Sequence, residues 1–132
     1  MFARTSYDPI CEGLPVGGGL ANHRKAISDF PGVLDVVAVV SNPCRYRSRY
    51  DLYRAFERHM HASGVRLTTV ELAFGERPWE VTEPDNPRHV RLRTAYELWH
   101  KENLINLGVQ HLPRDWKYVA WIDADVSFAR PD

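Results

Sequence analysis

Two carboxylates two positions apart, Asp123 and Asp125, close an apolar run that begins at Tyr118. Side chains alternate along a strand, so this spacing puts both acids on one side as the chain leaves a sheet. In open α/β sheets ligands bind at that carboxyl edge. Hard oxygen donors there suit Mg²⁺ or Mn²⁺, which usually complete their shells with water and substrate phosphates. The pair reads as half of a phosphate-handling site. The plainer alternative is that the two aspartates end the strand and cap the next turn or helix, a common role for Asp.

Arg45 and Arg47 come after another apolar run, Leu34 to Ser41. Their planar, paired N–H donors match phosphate. Arg49, Arg54 and Arg58 continue the basic series with Tyr46, Tyr50 and Tyr53 interleaved, but Asp51 and Glu57 dilute it. Arg54 and Arg58 read as a solvated helix face. Glu71 lies inside an apolar stretch, where a carboxylate without partners costs several kcal/mol, on the order of 2–7 for an uncompensated polar group. Its expected place is the strand's end, near the same edge. Lys101 and Asn106 lie on a helical segment ahead of the aspartates, Lys101 suited to phosphate and Asn106 to a ligand hydroxyl or to fixing the aspartate loop. His59 and His61 are two apart on a helix and face different ways, so no zinc pair is expected. Surface or core-edge roles are expected for all of His23, His59, His61, His89, His100 and His111.

The elements that must position these groups alternate. Leu34 to Ser41 reads as a central parallel strand, ended by Asn42-Pro43. Ser48 and Asp51 resemble a capping box, and Leu52, Tyr53, Phe56 and Met60 recur at helical spacing, which predicts a helix over Ser48 to Ser63. Val65 to Leu72 is the second strand. Phe74 to Arg93 carries Gly75, Pro78, Pro84 and Pro87 and reads as loop, with a short extended piece at Val90 to Arg93. A second helix is expected over Thr94 to Leu107, with Ala95, Leu98, Ile105 and Trp99 turned inward and Gly108 as its stop. Tyr118 to Asp123 is the last, buried strand. Residues 1–33 contain the triplet Gly17-Gly18-Gly19 but lack a preceding strand or a P-loop Lys-Ser/Thr, so they read as an irregular extension. The order predicts an α/β domain over residues 34–132 with a mainly parallel, Rossmann-like sheet.

The chain has 132 residues, enough for one core, with Lys plus Arg equal to Asp plus Glu at 17 each. Such balance gives no global field that favours nucleic acid or an acidic membrane. Its two cysteines, Cys11 and Cys44, have no zinc or redox spacing. No apolar run approaches a membrane span and no signal peptide is visible, so a cytoplasmic protein is expected.

The words SNPCRYRSRY, VELAFG, LWHKENLINLG and YVAWIDADVSF, in this order from Leu34 onward, resemble the nucleotide-sugar-binding half of a GT-A-type glycosyltransferase. The resemblance implies transfer of a sugar from a nucleoside diphosphate, uridine being the first base to test, through a DxD-held Mn²⁺ or Mg²⁺. It implies that Asp123 touches the nucleotide and that Asp125, with Asp123, holds the metal. Ser41, Asn42 and Pro43 would grip the base, although Asn-Pro is also an ordinary turn former. Arg45, Arg47 and Lys101 would approach the diphosphate, and Glu71 the base or ribose, a salt bridge to an arginine being the alternative for Glu71.

Three other classes share parts of this pattern, one being sugar-phosphate nucleotidyltransferases, which expect a glycine-rich loop after the first strand where SNPCRYRSRY has no glycine. DADVS is similar to the nucleophile motif of haloacid-dehalogenase-type phosphohydrolases, but there the motif opens the domain. A noncatalytic nucleotide- or sugar-binding module needs the same donors without turnover. No general base can be named. With the DxD pair so near its end, the chain is expected to be a truncated half that binds donor and does not transfer it.

Overall fold

A computed structural model of the chain describes residues 34–129. The proposed N-terminal extension, with its glycine triplet, Cys11 and His23, lies outside the described residues. Six elements follow in order, with two strands in succession after the first helix: β1 (Leu34–Ser41), α1 (Arg47–Ala62), β2 (Arg66–Phe74), β3 (His89–Thr94), α2 (Lys101–Gln110) and β4 (Tyr118–Trp121). The strands form one parallel sheet in the order β3-β2-β1-β4.

Alternation along β1 decides how the layers form. Val36 and Ala38 point to one face, where Phe56 and Met60 of α1 cover them together with Leu67. Val37 points to the other, where Leu104 of α2 packs with Val70, Leu72 and Phe74. A strand buried on both faces must be apolar at consecutive positions, which explains the run LDVVAVV. At the amino edge, buried Asp35 is paired with Arg66 and lies 3.3 Å from Arg88. That charge cluster stands at the opposite end of the sheet from Asp123.

Four local expectations need correction. The extended piece at Val90 to Arg93 is a full strand, because it pairs with β2 from Thr69↔His89 to Phe74↔Thr94. Val90 and Leu92 join the α2-side core, while the guanidiniums of Arg91 and Arg93 lie 4.1 and 4.2 Å from the Trp79 ring centroid.

The second helix starts seven residues later than Thr94, at Lys101. Sheet pairing takes Thr94, whose carbonyl accepts the Gly75 N–H at 2.8 Å, and Leu98 and Trp99 stay exposed. Gly108 is inside this helix and buried. A Cβ there would stand 2.5 Å from Val37 Cγ1 and 2.9 Å from Val70 Cγ2, so the missing side chain sets how closely α2 approaches the sheet.

Helix α1 has Tyr46 at its N-cap and no side-chain cap, so Ser48 and Asp51 do not form the box. Asn42 works instead from outside the helix: its Oδ1 accepts the Tyr46 N–H at 3.0 Å and its amide donates to the Tyr46 carbonyl at 2.8 Å. Finally, β4 is not buried. It ends at Trp121 and, among the described residues, pairs with β1 alone, leaving Tyr118 and Trp121 exposed.

Candidate functional site at the carboxyl edge

The sheet order has one reversal. From β1 the chain steps outward to β2 and then β3, and the crossover through α2 carries it back to the far side of β1. In doubly wound sheets such a reversal, here between β1 and β4, marks the crevice outside the carboxyl ends of the strands where ligands bind. The loop after β1 and the segment after β4 both leave the sheet at that edge.

The segment after β4 carries the aspartates. Pairing runs from Leu34↔Tyr118 to Val37↔Trp121, and the Ile122 N–H extends it by donating to the Val37 carbonyl at 3.1 Å. Ile122 and Ala124 pack against the α1-side core, which anchors the backbone on either side of Asp123. Asp123 and Asp125 are both exposed. The Lys101 ammonium, from the first residue of α2, contacts Asp123 Oδ1 and lies 5.0 Å from the Trp121 ring centroid. Asp125 falls in the adjoining turn.

The loop after β1 is closed by its own polar groups. Besides the two Asn42 bonds to Tyr46, the Arg45 N–H donates to the Asn42 carbonyl at 3.2 Å. Arg49 donates to the Ser41 carbonyl at 3.2 Å, and Arg77 to the Pro43 carbonyl at 2.7 Å. The buried Asn42 side chain is thus committed to shaping the loop. That shape holds Arg45 at φ 56°, a left-handed conformation that side-chain-bearing residues seldom adopt. Its side chain and that of Arg47 are exposed. Arg47 stands 3.9 Å from Asp51 with both side chains mostly in solvent, too weak a pair to hold it.

Glu71 has a different occupation. It pairs with Val40, three positions before β2 ends, and is 4% exposed. Its carboxylate accepts the N–H of Glu80 at 2.6 Å, of Val81 at 3.1 Å and of Thr82 at 2.8 Å, plus the Thr82 hydroxyl at 2.6 Å. Three consecutive backbone donors and a hydroxyl satisfy both oxygens, which accounts for the burial without a ligand or an arginine. Asn106 is also set apart. It is exposed, and five helical residues place it about 7.5 Å along the axis from Lys101 and about 140° around it.

The structure therefore brings Asp123, Lys101 and, through the loop after β1, Ser41 to Arg47 to one edge. Arg77 was missed in the sequence. It braces the loop at Pro43 and lies 3.7 Å from Glu97, beside an open concavity of about 440 Å³ lined by Phe74, Gly75, Glu76 and Ala95. It sits in a proline-rich connection with no periodic pattern, so only the fold could place it.

Among the described residues no group of three or more His, Cys, Asp or Glu side chains is gathered for a metal. The two exposed aspartates do offer hard oxygen donors, and a cation already rests on one of them as the Lys101 ammonium. Such a donor set fits Mg²⁺ or Mn²⁺ completed by water and phosphate. Among the described residues no helix is long and apolar enough to cross a membrane. Comparison with known proteins returned no match, whether to a family model, a curated protein or a solved structure.

Proposed function

We propose that this domain binds a nucleoside diphosphate sugar together with Mn²⁺ or Mg²⁺ in the crevice between β1 and β4, as the donor-binding half of a GT-A-type glycosyltransferase. The observation that carries the proposal is positional: the DxD segment leaves β4 at the reversal of strand order, on the same edge of the parallel sheet as the loop after β1. That is where doubly wound sheets take phosphorylated ligands.

Each residue has a task set by its placement. Asp125 and Asp123 hold the cation. Arg45 on the loop and Arg47 at the first position of α1, both exposed, offer bidentate donors to the diphosphate, and the Asn42 network fixes the loop that leads to them. Ser41 offers its hydroxyl to the base, while the Ser41 and Pro43 carbonyls, held by Arg49 and Arg77, fix the shape of the loop beneath it. When bound, the cation supplies charge neutralisation on the departing diphosphate. Glu71 and Asn106 have no task in this set.

Calorimetry with Mn²⁺ and a panel of nucleoside diphosphates, uridine first, tests the proposal. The expected result is nucleotide affinity that rises with metal and falls in Asp125→Asn. Equal affinity with and without metal, or no loss in that variant, would overturn it.

A further inference from the structure

The contact between Lys101 and Asp123 joins two groups that the proposed site needs for different ligands. One oxygen of the first aspartate is covered by an ammonium delivered from the start of α2. That ammonium is held in place on a second side by the Trp121 ring, 5.0 Å away. The two side chains are 29% and 51% exposed, so the pair is open to displacement by an incoming ion. A divalent cation on Asp123 would meet a fixed positive charge at contact range, and like charges repel strongly over such distances.

We infer that Lys101 is a resident counter-cation of Asp123 that makes metal binding conditional on the diphosphate. Resting on the function proposed above, this assigns the coupling between its two ligands to one side chain. Without diphosphate, the ammonium occupies Asp123 and weakens binding of a free divalent ion. With diphosphate present, a multiply charged anion stands beside the crevice and gives the ammonium an alternative partner within reach of its flexible stem. Asp123 is then released to the metal while Lys101 moves onto phosphate oxygen. Linkage requires the effect to be reciprocal, so metal raises diphosphate affinity by the factor by which diphosphate raises metal affinity. No bond is made or broken in this exchange; one ion replaces another.

The experiment measures Mn²⁺ binding directly, by calorimetry or by the loss of the free-ion paramagnetic resonance signal. It uses wild type, Lys101→Met and Lys101→Arg, each with and without uridine diphosphate as the probe. Circular dichroism melts establish that each variant is folded. In Lys101→Met, Mn²⁺ alone should bind about three- to tenfold tighter, the range expected for removing a half-exposed charge contact. The enhancement by uridine diphosphate should shrink in the same variant. Lys101→Arg keeps the charge and should behave like wild type even if the methionine variant fails to fold, and a tightening of Mn²⁺ binding in it would overturn the inference. Unchanged Mn²⁺ affinity in Lys101→Met, or undiminished enhancement, would overturn the inference and leave the proposed function standing. No Mn²⁺ bound by any of the proteins in either condition would overturn both.

Discussion

Glu71 and Thr82 are joined by two hydrogen bonds to the same carboxylate oxygen, 2.8 Å from the threonine N–H and 2.6 Å from its hydroxyl. With the N–H groups of Glu80 and Val81, they turn a buried acid in β2 into the anchor of the β2–β3 connection. That connection carries Arg77 to the loop after β1, so an interior contact sets the shape of the site's rim.

Glu71→Gln should therefore destabilise the fold by about 2–4 kcal/mol, because an amide directs N–H groups at backbone donors and leaves them unpaired. Thr82→Val should lose about 1–2 kcal/mol, and the two changes should be less than additive. Urea unfolding of both single variants and the double variant measures this. Additive losses would show that the two side chains do not share one interaction.

Gly108→Ala should cost about 1–3 kcal/mol although alanine is the better helix former, because its methyl group collides with Val37 and Val70. Thermal melts read the sign. A stabilised variant would mean that α2 sits farther from the sheet than described.

Arg45→Gly should separate stability from binding. Relief of the left-handed backbone at φ 56° should stabilise the chain by about 1 kcal/mol. Loss of the guanidinium should weaken binding of a nucleoside diphosphate. Denaturant midpoints and calorimetry on the same preparation check both, and unchanged nucleotide affinity would remove Arg45 from the site.

Tyr53 is buried, and burial is the main cause that pushes its phenol well above the usual 10.0, with Thr69 opposing and the Glu57 charge assisting. Its raised value means that the folded chain keeps a proton that the unfolded chain gives up. Stability is thus independent of this group below about pH 10 and falls as pH rises above it. Tyr53→Phe should cost about 1 kcal/mol at neutral pH through the lost bonds to Thr69 and Glu57, and should flatten the alkaline decline. Tyr50, raised by partial burial and by Glu80, leaves a residual slope. Urea midpoints across the alkaline range compare the two proteins; identical slopes would show that Tyr53 is not the group responsible.

Much of the architecture was legible in the residues themselves. Strands β1 and β2 and helix α1 carry local signals strong enough to fix type and near-limits: consecutive β-branched residues for a strand buried on both faces, and Tyr53, Phe56 and Met60 at helical spacing. The place of Asp123 and Asp125 just past the last strand is legible for the same reason, since an apolar run ending in acids carries them out of the sheet whatever the partners. Tertiary structure decided what depends on partners far along the chain. His89–Thr94 becomes a strand because β2 offers it a register, and the pairing overrides the helical spacing that extends back to Thr94. Gly108 changes from a stop to a contact because Val37 and Val70 lie beneath it. Glu71 becomes an anchor and Lys101 the partner of Asp123 because the fold converts separations of 11 and 22 residues into hydrogen-bond distance. Periodicity reports the solvent and core sides of one element; it carries no information about which charged group arrives from another.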